Sequence, residues 1–186
     1  DYSTLIPVLE KHKEAFGRHV GEVTADSGYC SERNLLFLKE EGITGYIKLQ
    51  DHEKRKTRAY KEDIGKYYNM KREVFEDEAY YVCHDGRQLL HIRTEKRHQD
   101  GYEQTIEVYG CADCGGCPHK ARCLYKYDGK KDQEKNKVMK INERWEDLKE
   151  EAHGNIQSEK GILNKYHRFR HGKIKKFEGK PEEPAA

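Results

Sequence analysis

Long apolar runs are the first thing this sequence lacks. No stretch approaches the roughly 18 consecutive apolar residues that a membrane-spanning helix needs, and no basic, apolar, small-residue pattern of a secretory leader opens the chain. Only 34% of the 186 residues are hydrophobic against 38% charged, which leaves little material for a large core. An excess of charge of one sign is also missing. Lys and Arg number 36, Asp and Glu 34, for a formal net charge of +2, so any case for a nucleic-acid partner must come from local clusters. The first residue is Asp1 rather than Met, and the expectation is that structure continues upstream of it. What is present in length suits one domain or one and a half. The six cysteines, four of them between Cys111 and Cys123, fit a reducing, cytoplasmic compartment better than a disulfide scaffold.

Apolar spacing organises the first fifty residues. Leu5, Val8, Leu9, His12 and Phe16 fall on one face of an amphipathic helix between Ser3 and Gly17, with His12 a packed histidine on that face. Val20, Val23 and Ala25 then read as a short buried strand ended by Asp26-Ser27-Gly28. Ser31 is an N-cap candidate for a helix that stops at Gly42 and turns Leu35 and Leu38 inward. A further strand follows over Ile43–Leu49, with Ile43, Ile47 and Leu49 on one side. Helix, strand, helix, strand is α/β alternation and predicts a parallel pair. Asp26 therefore lies at the carboxyl end of a strand, where open α/β sheets place ligands. Its carboxylate suits a divalent cation there, or it closes the strand through an Asx-turn and nothing more.

The middle of the chain is of another kind. Residues 50–70 are polar, with Lys54, Arg55, Lys56 and Arg58 in a near-continuous row; this is a solvated loop or a strip facing phosphates. A hairpin is expected over Val74–Ile92. Val74-Phe75 and Ala79–Cys83 form one arm, Asp85-Gly86 a type I′ turn, and Gln88–Ile92 the other arm. Tyr102–Tyr109 reads as one more strand. It leads into Cys111, Cys114, Cys117 and Cys123, spaced C-x2-C-x2-C-x5-C with Gly115 and Gly116 at the bend and Pro118 on the way out. C-x2-C faces two thiolates toward one ion, and four thiolates suit a closed, structural Zn²⁺ site. An iron–sulfur cluster and a set of unligated thiols remain open, while Cys30 and Cys83 read as small buried thiols. A long helix is expected over Asp132–His153, where Val138, Ile141, Trp145, Leu148 and Ala152 repeat at helical spacing. From Asn164 onward Lys165, Arg168, Arg170, Lys173, Lys175, Lys176 and Lys180 meet one acid, Glu178, with Tyr166, Phe169 and Phe177 interleaved. That mixture binds nucleic-acid backbone and stacks on bases, or forms a solvated tail.

Several of these segments together resemble one family. V-T-A-D-S-G-Y followed by S-E-x-N and a Leu-rich helix, then D-E-A-Y-Y-V-C-H-D-G, the cysteine cluster and N-I-Q-S-E-K-G-I-L are similar to the DDE transposases of bacterial insertion sequences. The resemblance runs from about Thr4 to Leu163 and resumes at Asn164-Lys-Tyr-His-Arg-Phe. It implies an RNase H-like fold with an Asp-Asp-Glu set that holds Mg²⁺ for strand cleavage and transfer on transposon-end DNA. Asp26 matches the second aspartate. The first has no counterpart, and its strand is expected before residue 1. The final Glu, which the family follows with F-G-x-x-K, is missing too. Here Leu163 passes directly into Asn164-Lys165, as an internal deletion would leave it. The expected fold is thus α/β: a partial RNase H-like core at residues 1–50, a β-rich zinc-knuckle insertion at 51–130, a C-terminal helix region at 131–163 and a basic tail from 164 to 186. The resemblance implies a transposase fragment that is itself inactive. The alternative is a zinc-stabilised module that binds DNA or a full-length transposase and inhibits it.

Overall fold

The structure is a computed structural model, and it describes residues 2–99 and 101–164. It is a mixed α/β fold with two sheets, and the described residues divide into two compact units, one of residues up to 49 with those from 150 on, the other of residues 50–149.

In the first unit, helix α1 (Leu5–Phe16) buries Leu5 and Leu9. Val8 and Phe16, expected on the same inward face, are 61% and 69% exposed; the buried stripe is only one residue wide at each turn. Gly17 closes the helix at φ 73, its N–H donating to Lys13 O, a left-handed conformation that a side chain would strain. Strand β1 (Glu22–Ala25) pairs in parallel with β2 (Thr44–Ile47), Glu22 opposite Thr44 and Ala25 opposite Ile47. The crossover is helix α2 (Glu32–Glu40). Ser31 caps it by accepting from Asn34 N–H at 3.3 Å. Gly42, at φ 66, and the 2.8 Å bond from Ile43 N–H to Leu38 O close its other end, the paired bonding that ends many helices. Leu35, Leu38, Ile43, Ile47 and Leu49 are all buried, as the apolar spacing requires. The later part of the chain returns to this unit, where Asn155 Nδ2 donates to Gly45 O at 3.2 Å and Lys39 pairs with Glu151 at 2.8 Å.

The second unit is built on a five-stranded antiparallel meander: β3 (Lys71–Phe75), β4 (Glu78–Val82), β5 (Gln88–Gln99), β6 (Tyr102–Cys111) and β7 (Val138–Ile141). Two short helices accompany it, α3 (Arg58–Lys61) ahead of β3 and α4 (Lys120–Cys123) between β6 and β7. Tyr81, Leu89, Tyr109, Cys111, Cys114, Met139 and Ile141 form a buried cluster, with Tyr67, Met70 and Cys83 packed against it. Tyr81 and Tyr109 meet edge to face at 5.0 Å, a favoured arrangement of their quadrupoles.

Three expectations are corrected here. The arm expected from Val74 to Cys83 is two strands, because Glu76 and Asp77 turn the chain with φ of 48° and 65°. Two successive left-handed residues make a tight hairpin, and no glycine announces it. The Asp85-Gly86 turn exists, but only Gly86 is left-handed (φ 77). Its N–H donates to Cys83 O at 2.9 Å, so the loop is longer than a type I′ turn. The helix expected from Asp132 starts only at α5 (Glu143–Gln157), and Val138–Ile141 is a strand whose burial alternates. Asn142 makes the boundary: its Oδ1 accepts from Trp145 N–H at 2.9 Å, as an N-cap does. The helix also runs on past the expected end at His153, through Gly154-Asn155. Among the described residues no helix is long and apolar enough to cross a membrane.

Candidate functional site

Asp26 follows the last residue of β1, extended at φ −71 and ψ 161, and introduces a single 3-10 turn (Ser27–Tyr29). Its carboxylate makes no capping hydrogen bond to that turn. Its backbone carbonyl accepts from Tyr29 N–H at 3.0 Å. The turn is held from the other side by Asn34, which is 1% exposed. Both hydrogens of its amide are used, donating to Tyr29 O at 2.9 Å and to Tyr2 O at 2.8 Å. One buried side chain thus ties the segment before α1 and the turn after Asp26 to the start of α2. Glu32, in the first turn of α2, is buried too, at 4% exposure.

The second region is the end of the antiparallel sheet where the cysteines gather. Cys111 ends β6 opposite Leu89, its backbone N–H donating to Lys137 O. Its thiol donates to Asp113 O at 3.2 Å, and burial together with the Cys114 thiol pushes it up to about 11. Cys114 is fixed by Asn136, whose Oδ1 accepts from Cys114 N–H at 2.8 Å while its Nδ2 donates to Ala112 O at 2.7 Å. The Cys114 sulfur accepts from Lys137 N–H at 3.4 Å. Cys117 N–H closes back on Cys114 O at 3.4 Å, with Gly116 left-handed at φ 66. Cys123, on the last turn of α4, has its thiol raised by burial; Lys137 opposes this, and Cys83, Cys114 and Cys117 add to it. Lys137 is itself enclosed, its Nζ donating to Gly65 O at 2.6 Å and to Cys123 O at 3.2 Å, and burial pushes its amine down.

Arg87, His84 and His119 also join this region. Arg87 Nη1 donates to Asp113 O at 2.8 Å, binding the β4–β5 turn to the Cys111–Cys114 loop. His84 and His119 meet edge to face at 4.6 Å, joining that turn to the segment after Cys117. The Cys111–Cys123 segment and Cys83 thus lie at one end of the sheet. Thiols in this number fit a thiolate-held ion by donor chemistry. In the arrangement present, no three His, Cys, Asp or Glu side chains among the described residues stand where they could hold one metal ion, and no zinc-knuckle cluster is evident.

Three of the four cations at 54–58 pair with acids just outside the row. Arg55 bonds Asp51 at 3.0 Å, Lys56 bonds Glu53 at 3.1 Å, and Arg58 bonds Glu62 at 2.8 Å. Tyr60 and Tyr68 stack beside it, 4.2 Å between centroids and 6° between planes. Lys165, Arg168, Arg170, Lys173, Lys175 and Lys176, expected to face nucleic acid, lie outside the described residues.

A family model described as the transposase DDE domain matches residues 82–175. It covers half of the chain, from Val82 through the cysteine loop, β7 and α5, and the chain belongs to that family. No curated protein and no solved structure matches it. Asp26 and the β1–α2–β2 unit precede the matched residues.

Proposed function

We propose that the chain serves DNA transposition as part of an RNase H-like DDE transposase, in which Asp26 is one metal-holding carboxylate, and that alone it neither nicks nor joins DNA. The observation that carries this reading is the place of Asp26 at the carboxyl end of a parallel strand, in a chain whose residues 82–175 match the transposase family. In such enzymes two divalent ions activate the attacking hydroxyl and stabilise the leaving oxygen, and a few carboxylates hold both. The described residues offer no set of three donors, so no step through such ions follows from this chain. The passage from Leu163 into Asn164-Lys165-Tyr166, without the family's last Glu, supports the inactive reading. The test is incubation of purified chain with transposon-end duplex and Mg²⁺ or Mn²⁺. Intact DNA is expected; nicking that Asp26→Ala abolishes would overturn the proposal.

The gathering of the cysteines favours a second reading, a zinc-stabilised module that docks on transposon ends or on a full-length transposase and inhibits it. Thiolates of the Cys111–Cys123 segment would hold one Zn²⁺. When bound, the ion would supply folding free energy rather than catalysis, on the order of 10 kcal/mol. Such help suits a segment as poor in apolar residues as this one. The basic tail, Lys165–Lys180, would add sequence-independent contacts to DNA phosphates.

A further inference from the structure

The row at 54–58 is largely spent on neighbouring acids, and the free positive charge of the second unit lies farther on. Residues 54–66 hold six Lys or Arg against two Asp or Glu, and residues 120–137 hold seven against three. Residues 1–53, 67–119 and 138–163 together hold 16 against 26. Outside the tail, these two segments stand out on an otherwise acidic chain, and both belong to the second unit.

The fold brings them together. Gly65 is buried against Cys123, and a Cβ on it would stand 2.5 Å from Cys123 O, so only glycine allows this approach. Lys137 Nζ bridges the same two residues, donating to Gly65 O at 2.6 Å and to Cys123 O at 3.2 Å. Lys120 is 8% exposed and donates to Gln133 O. These two lysines are used inside, where they hold the joint.

The acids beside it are engaged as well. Asp63 Oδ1 accepts from Gly65 N–H at 3.0 Å, Asp128 Oδ1 from Lys130 N–H at 2.9 Å, and Asp132 Oδ2 from Asp128 N–H at 2.9 Å. Glu62 pairs with Arg58, and Asp132 also with Lys135 at 3.7 Å. Beyond the row, Lys61, Lys66, Arg122, Lys126, Lys130 and Lys131 are exposed and make no ion pair among the described residues; Glu134 is the one acid of the two segments left equally free. Tyr125, 80% exposed with Lys126 Nζ 5.2 Å above its ring, adds an aromatic face that the core does not use.

We infer that the joint of these two segments is a contact surface for the phosphate backbone of duplex DNA, separate from the tail. It rests on the reading that the chain serves DNA transposition, and it says where the folded part meets the duplex. Cations that have no acid of their own, on a backbone already fixed, replace the counterions condensed on DNA, and the entropy of those released ions drives the contact.

The test uses the full chain and a labelled duplex of arbitrary sequence over a salt series. Lys66→Gln/Arg122→Gln/Lys130→Gln is compared with Lys11→Gln/Arg18→Gln/Arg97→Gln, which removes the same charge from exposed positions elsewhere. The first variant is expected to flatten the slope of log affinity against log salt by about 2 to 3 and to bind about tenfold or more weakly at low salt; the second is expected to stay near wild type. Acetylation of wild-type lysines by a small acyl reagent, read by mass spectrometry, needs no substitution and decides should the first variant fail to fold. Duplex is expected to slow Lys61, Lys66, Lys126, Lys130 and Lys131 and to leave Lys11 unchanged. Equal losses in the two variants, or binding with no protection of these lysines, would overturn this surface and leave DNA handling in place. Salt-dependent self-association that the first variant abolishes, with DNA binding unchanged, would give the surface to a second copy instead. A wild type that binds no duplex at low salt would overturn both the surface and the reading it rests on.

Discussion

Replacing Asn34 by alanine removes the amide that holds Tyr29 O at 2.9 Å and Tyr2 O at 2.8 Å, from a side chain only 1% exposed. Two hydrogen bonds contribute about 1 kcal/mol each in net terms, and a carbonyl left buried and unpaired costs about as much again. Neither carbonyl bears that second cost: Tyr2 is 49% exposed and its carbonyl regains water, and Tyr29 O keeps the Ser31 N–H at 3.0 Å. Alanine is the better helix former by about half a kcal/mol. The net loss is about 1.5 kcal/mol in the first unit, or about a 12-fold rise in opening. Hydrogen exchange by mass spectrometry over Leu35–Leu38 and the strands β1 and β2 reads it directly, since these amides exchange through opening of that unit. Asn34→Asp is the harsher change. At pH 7 its carboxylate would face two carbonyl oxygens with no hydrogen to give, so exchange faster than in Asn34→Ala is expected. A rise of less than about threefold in Asn34→Ala (roughly 0.65 kcal/mol), or slower exchange in Asn34→Asp than in Asn34→Ala, would refute this account of how the turn after Asp26 is held.

The β3–β4 turn carries Asp77 at φ 65, where a side chain is strained. Asp77→Gly is therefore expected to raise the melting temperature of the second unit through a gain of about 0.5 to 1 kcal/mol; a lower melting temperature would count against the turn as described. Tyr109 donates to Glu143 Oε1 at 3.2 Å, and burial with the Glu143 charge pushes its phenol up to about 12. The folded state thus keeps this proton more tightly than the unfolded chain, whose phenol titrates near 10. The stability it contributes is complete below pH 10 and is lost as pH rises from 10 through 12. A denaturant series over that range should show the loss in wild type and a flatter limb in Tyr109→Phe; identical limbs would remove Tyr109 from the alkaline transition.

The first fifty residues were legible because their signals are local. Ser31 caps α2, Gly42 ends it, and Leu35, Leu38, Ile47 and Leu49 are buried at the spacings that helix and strand impose. The β7 strand was hidden for a local reason as well. Val138 and Ile141 stand three apart and continue into Trp145, Leu148 and Ala152, so one helical period runs across a strand and a helix, and only the Asn142 cap divides them. The Glu76–Asp77 turn has no glycine to betray its left-handed residues. The cysteine region was half legible. Spacing gathers Cys111 to Cys123, but Cys83 reaches them only through the pairing of β4 with β5 and of β5 with β6, which no local pattern encodes. Lys137 and Arg87 were unreadable in the same way, since their partners Gly65, Cys123 and Asp113 are close in space alone.

That this chain handles DNA is tested most directly by its affinity for duplex over a salt series, comparing the full chain with one ended at Leu163. The tail beyond holds Lys165, Arg168, Arg170, Lys173, Lys175, Lys176 and Lys180 against Glu178 and the terminal Glu182 and Glu183. Each phosphate it neutralises adds about −0.9 to the slope of log affinity against log salt. With four to six of the seven cations engaged, the full chain should show a slope steeper by about 4 to 5 than the shortened one, and weak, sequence-independent binding. Equal slopes and equal affinities would contradict the tail's part in the account, and no binding by the full chain even at low salt would contradict DNA handling altogether.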